Sequence, residues 1–112
     1  MDDVTRSLLN DMREYASDAI EFLGSKEAAD LEDDKIRRFA LIRAIEVIGE
    51  AATKVEVTQR EAMPELQWGQ MIGMRNILIH GYTEIRITTL VATVQENLPE
   101  LVTLLDKILG DT

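Results

Sequence analysis

Cysteine is absent from the 112 residues, which excludes disulfides and thiolate metal sites and fits a reducing compartment. Aromatic residues make up 4% of the chain, too few for the stacking platforms of single-strand-binding proteins. Basic residues are outnumbered, 12 Lys and Arg against 21 Asp and Glu, for a net charge of −9. That balance argues against a protein that coats nucleic acid through a basic face. It leaves room for an enzyme with a small basic pocket, because a local field can oppose the net charge. No apolar run approaches the roughly 20 residues that span a bilayer. The start Met1-Asp2-Asp3-Val4 has neither the basic nor the apolar region of a signal peptide. No membrane association and a cytoplasmic location are therefore expected. The length fits one domain over residues 1–112.

What is present is mostly helix formers, with glycine, proline and asparagine at a few separated places. Val4, Leu8, Met12, Tyr15, Ala19 and Leu23 recur at helical spacing. A first helix over Asp3–Leu23 follows, capped by Asp2 or Asp3 and stopped by Gly24. Residues 25–34 read as an acidic connection with room for one helical turn. A second helix is expected over Lys35–Val57, capped by Asp33 or Asp34. Its apolar residues reach almost all round the cylinder, so it should be central. Arg43, Glu46 and Glu50 nevertheless fall within about 60° of one another, as a narrow charged strip bordered by Ile36 and Phe39. Thr58 and Glu61 have capping-box spacing and suggest a short turn before Pro64. A third helix should start near Gln67 or Trp68 and end at Gly81. The last helical region, over Thr88–Leu109, should be kinked by Pro99 or restarted after Asn97. The expected fold is all-α, a four- to five-helix antiparallel bundle.

The third helix carries the exceptional residues. Counted from Trp68, its core-facing stripe runs Trp68, Met71, Ile72, Arg75, Asn76, Ile79 and His80. Three polar members at one end of a buried stripe cost free energy unless paired, so they mark a polar network, an interface or a site. Asn76 and His80 are four apart and adjacent on the helix surface. Arg75 and His80 are five apart, about 140° around the axis. Both can address one ligand if Arg75 curls sideways or the helix stops near His80. An imidazole titrates near neutrality and is suited to proton transfer. By itself Arg-x-x-x-x-His is a weak pattern, and bland readings stand beside the chemical one. His80 can be a helix-terminal residue and Tyr82 a loop aromatic packed on the bundle. Arg43, Glu46 and Glu50 can be an internal salt-bridge strip, and Glu32-Asp33-Asp34 a set of helix caps. No cluster of metal-ligand spacing and no glycine-rich phosphate loop is present, so neither a metal nor another cofactor is expected.

The segment Met74-Arg75-Asn76-Ile77-Leu78-Ile79-His80-Gly81-Tyr82 resembles the R-x4-H-x-Y motif of HEPN toxins in HEPN/MNT toxin–antitoxin modules, the HepT-like family. Two further blocks agree. Ala44-Ile45-Glu46-Val47-Ile48-Gly49-Glu50-Ala51-Ala52 resembles the central-helix signature, and Pro64-Glu65-Leu66-Gln67-Trp68 the Pro-x-x-x-Trp entry to the motif helix. The order suits the family over about Asp3 to Leu109. The resemblance implies a HEPN homodimer whose two motif helices share a cleft. It implies metal-independent RNA cleavage, with His80 in proton transfer, Arg75 on the phosphate and Asn76 orienting the site. It also implies that Tyr82 is adenylylated by a partner nucleotidyltransferase (MNT) antitoxin, which silences the toxin.

The chemistry itself is compatible with two copies. Transesterification needs a base, an acid and positive charge at the phosphate. One histidine per chain means that a two-imidazole mechanism requires a dimer. Two other readings remain: a non-catalytic subunit that binds a nucleotidyltransferase, and a helical interaction module whose polar triad satisfies itself in an interface.

Overall fold

In the computed structural model the described residues are 1–80 and 86–110, with the backbone alone described at 76–80. Every regular element among them is helical, so the all-α expectation holds. Asp2 opens helix α1 (Asp3–Leu23), its carboxylate accepting the Thr5 N–H at 2.7 Å. This satisfies one of the donors that a first helical turn leaves over. The Thr5 hydroxyl, and then the Thr5 N–H, hold the Asp2 carboxyl below its usual range. Gly24 ends the helix at φ 55°, its N–H on the Ile20 carbonyl, a conformation open to glycine because it lacks Cβ.

The buried face of α1 differs from the expected stripe at its N-terminal end. Thr5, Leu9, Met12, Ala16, Ala19 and Leu23 point inward, whereas Val4 is 70% exposed and Leu8 and Tyr15 lie on the flank. Two contacts turn the helix. Thr5, 2% exposed, is satisfied by Asp2 and so tolerates burial. Ala16 and Ala19 are small enough to let a neighbouring helix close in, which Tyr15 would prevent.

Helix α2 (Ala28–Leu31) is the single turn expected in the acidic connection, held by a reciprocal capping box between Glu27 and Asp30. Helix α3 (Lys35–Lys54) begins at Asp34, whose side chain accepts the Arg37 N–H at 3.1 Å. It is central, packing on α1 and α2 and on two later helices. It stops at Lys54 and not at Val57, with Val55 already extended. The cause is Arg60, which donates to the Val55 carbonyl at 2.8 Å and to the Thr53 carbonyl at 3.0 Å. A guanidinium on those last carbonyls replaces the next helical turn. Helix α4 (Val57–Glu61) is the short turn expected, but it is capped at Glu56 without a side-chain bond and not by a Thr58 capping box.

Helix α5 (Trp68–His80) follows, and then α6 (Ile87–Ala92), a π-helical turn (Thr93–Asn97) and α7 (Leu98–Leu109). The π turn resolves the alternatives for Pro99. Leu98 N–H reaches back five residues to the Thr93 carbonyl, and Pro99 sits in the first turn of α7. There its missing N–H costs nothing and its ring avoids the carbonyl four residues back. Gly110, at φ 77°, closes α7. Arg13 binds Asp106 at 3.1 Å and Arg6 donates to the Leu109 carbonyl at 3.4 Å. Those two links set α1 and α7 antiparallel. The body measures 42 × 31 × 19 Å, so its short axis is about two helix diameters.

Candidate active site

Helix α5 is fixed at its start. Trp68 is half-buried and donates its indole N–H to the Met63 carbonyl at 3.0 Å, and Met71 is buried against the core. Further along, α5 crosses α3 at Gly49. A Cβ placed on Gly49 would lie 2.1 Å from Arg75 Cβ, 2.9 Å from Arg75 Cγ and 3.1 Å from the Met71 carbonyl oxygen. The two backbones are therefore closer than any side chain on α3 would allow. The stem of Arg75 lies directly on the α3 main chain. Arg75 is half-buried, with its Nε shielded from solvent. Glycine inside a helix costs about 1 kcal/mol relative to alanine, and here it is kept because the crossing needs it.

Helix α5 is described as far as His80, and the expected stop at Gly81 lies outside the described residues. Asn76 and His80 lie on the last turns of α5, and their side chains fall outside the described residues. Gly81 and Tyr82 fall outside them altogether. The charged strip is in view. Arg43 pairs with Glu50 at 3.6 Å, with side chains 61% and 35% exposed, and Glu46 is half-buried beside them. At that exposure the pair contributes at most about 1 kcal/mol. It lies about 100° around α3 from Gly49, next to the crossing and not within it.

The distribution of the other arginines bears on the acidic balance. Arg37 donates to the Phe22 carbonyl, Arg38 to those of Leu31 and Glu32, Arg60 to those of Thr53 and Val55, and Arg6 to that of Leu109. Each sits at the C-terminal end of a helix, where cations offset the dipole and the orphan carbonyls. Arg13 and Arg43 hold carboxylates. Most of these side chains serve the fold, and Arg37 also lines a shallow pocket with Phe22, Asp34, Ile36 and Ala40. A groove between α3, α5 and α7, floored by Ile45, Ile48 and Met71, has no basic residue among the described residues that line it, so it offers a phosphate no positive charge from them. Among the described residues no group of three or more His, Cys, Asp or Glu is placed to hold a metal ion. No helix among them is long and apolar enough to cross a membrane.

The sequence singled out Arg75 but not what seats it. The available signal was Gly49 itself, a lone glycine in a twenty-residue helix, where it costs stability relative to alanine.

A family model described as "Ribonuclease HepT-like" matches residues 12–108. Over 96 residues the chain is 38% identical to "Putative RNase MJ1380" of Methanocaldococcus jannaschii, covering 86% of this chain and 88% of that protein. A second protein of that organism, "Putative RNase MJ1216", is 33% identical over 106 residues, or 95% of this chain and 88% of the other. "Probable ribonuclease HepT" of Thermococcus cleftensis is 41% identical over 68 residues, 61% of this chain and 62% of that one. No solved structure matches the chain.

Proposed function

The chain belongs to the ribonuclease HepT-like family, and from that premise we propose that it is a ribonuclease that cuts RNA by internal transesterification at a site built on Arg75, Asn76 and His80. The observation that carries this reading is the crossing at Gly49, where a glycine lets one arginine lie against α3 on the helix that also carries His80. In the reaction a ribose 2′-OH gives its proton to one imidazole, and its oxygen bonds to the adjacent phosphorus. The bond from phosphorus to the 5′-oxygen breaks, a second imidazolium protonates that oxygen, and a 2′,3′-cyclic phosphate is left. The Arg75 guanidinium offsets the charge that builds on the phosphoryl oxygens through two directed N–H bonds. Asn76 orients the groups, and no metal ion takes part.

One histidine per chain assigns the second imidazole to a second copy. The outer face of α3 supports such a pairing. Ile36 is 85% exposed and Phe39 59% exposed, and Arg43, Glu46 and Glu50 continue the same side. A second copy covering Ile36 and Phe39 would lie beside the α5 crossing. Tyr82, two residues beyond His80, is the proposed point of control. A nucleotidyltransferase antitoxin would let its phenol oxygen attack the α-phosphorus of ATP and release pyrophosphate. The AMP left on Tyr82 would fill the RNA cleft.

The test is incubation with RNA in the presence of a chelator, followed by detection of cyclic-phosphate ends. Wild-type protein is expected to produce them. Arg75→Ala should lower the rate by about 100- to 1000-fold, as loss of a transition-state charge donor does, and His80→Ala by a similar factor. Cleavage at the wild-type rate in both variants would end this reading. The net charge of −9 favours a second reading, a subunit that binds a nucleotidyltransferase without cutting RNA. It predicts a stable complex with such a partner and no cyclic-phosphate ends from wild-type protein.

A further inference from the structure

We propose that Gly49 is a positioning residue for this reaction: by lacking a side chain it sets where the Arg75 guanidinium stands. The inference rests on the assignment of Arg75 to the phosphate. Carbon atoms in contact settle at roughly 3.5–4.0 Å, whereas an alanine Cβ at position 49 would meet Arg75 Cβ at 2.1 Å. Relief requires the root of Arg75 to withdraw by about 1.5 Å. No flexible end can yield in its place, since the colliding atoms are the first two carbons of Arg75 and the backbone oxygen of Met71. The guanidinium must then travel with α5. Its two-pronged binding of a phosphate depends on direction as well as charge, and a displacement of about 1 Å at a reacting centre can cost about 100-fold in rate.

The neighbouring glycines of α5 do not share this role. A Cβ on Gly69 or Gly73 meets nothing within 4 Å among the described residues. Alanine at those two sites favours the helix without moving it. They supply both a control and a stabilised background.

The experiment compares wild type, Gly49→Ala, Arg75→Ala and the double variant. Single-turnover cleavage is one readout. The other is the salt dependence of binding to a 2′-O-methyl oligonucleotide, which cannot cyclise. Gly49→Ala should slow cleavage about 100-fold and reduce the salt slope by about 0.7, the share of one phosphate contact on a single strand. Arg75→Ala should reduce the slope equally, and adding Gly49→Ala to it should leave the slope where Arg75→Ala put it; cleavage is compared only between wild type and Gly49→Ala, since α5 also carries Asn76 and His80. A glycine needed for packing alone would leave the slope at its wild-type value, or would lower the slope again in the Arg75→Ala background. Either result overturns the inference. If Gly49→Ala does not fold, it is repeated with Gly69→Ala and Gly73→Ala. A chain still unfolded there shows a general scaffold requirement and also overturns it. Absence of cleavage by wild-type protein is a different failure, because it removes the nuclease reading before any glycine variant is made.

Discussion

Asp34 closes the first turn of α3 while Arg37 donates to the same carboxylate from its side chain. Replacing it by alanine removes a cap and strands two donors. Asp34→Ala should therefore lower stability by about 1 kcal/mol, read as a lower midpoint in urea at unchanged slope, with cleavage by the folded fraction retained. Caps of this kind were legible in the sequence, since Asp2, Asp34 and Gly24 act locally and need no knowledge of the fold. Arg75 stood out in the sequence as one of three polar residues at the end of a core-facing stripe. Its seat was not legible, because the crossing at Gly49, where an added Cβ would fall 2.1 Å from Arg75 Cβ, joins residues far apart in the chain. Thr5 shows the same limit from the other side. A polarity scale puts it outside, and a hydrogen bond to Asp2 lets it inside.

Helix limits followed the sequence at α1 and failed at α4, where the capping-box spacing of Thr58 and Glu61 went unused, and at α3, where a side chain of the next element bears on the end. Asp3–Leu23 begins and ends as its Asp2 cap and Gly24 dictate. Lys54 ends α3 early because Arg60, in the next element, takes its final carbonyls. In the last rod, the π turn and Pro99 act as a pair. The wide turn holds one residue more than an α-helix would, and that surplus carries the proline clear of the Gln95 carbonyl. Deleting exposed Glu96 should force Pro99 into a helix interior and cost about 3 kcal/mol. Deletion of Glu96 together with Pro99→Ala should restore most of that loss, as urea unfolding of the single and double variants would show.

At the scale of the whole molecule, a body 19 Å thick leaves α3 central yet open along one side. Ile36 and Phe39 stand on that side, in water unless a second copy covers them. With the proposed pairing through this face, wild type should run as a dimer and Phe39→Asp as a monomer by size exclusion with light scattering, with helical content unchanged. The monomers should cleave RNA at least about 100-fold more slowly, since removing one of two proton-transfer groups costs on that order. A dimer that persists in Phe39→Asp would move the pairing to another face. The antiparallel α1 and α7 are tied by Arg6 to the Leu109 carbonyl at one edge and by Arg13 to Asp106 about two turns further in. A pull exerted at residues 6 and 109 loads the outer tie first and the inner one afterwards, peeling the helices apart like a zip. The edge that fastens the bundle is therefore where mechanical tension, as from a protease drawing in a chain end, would open it.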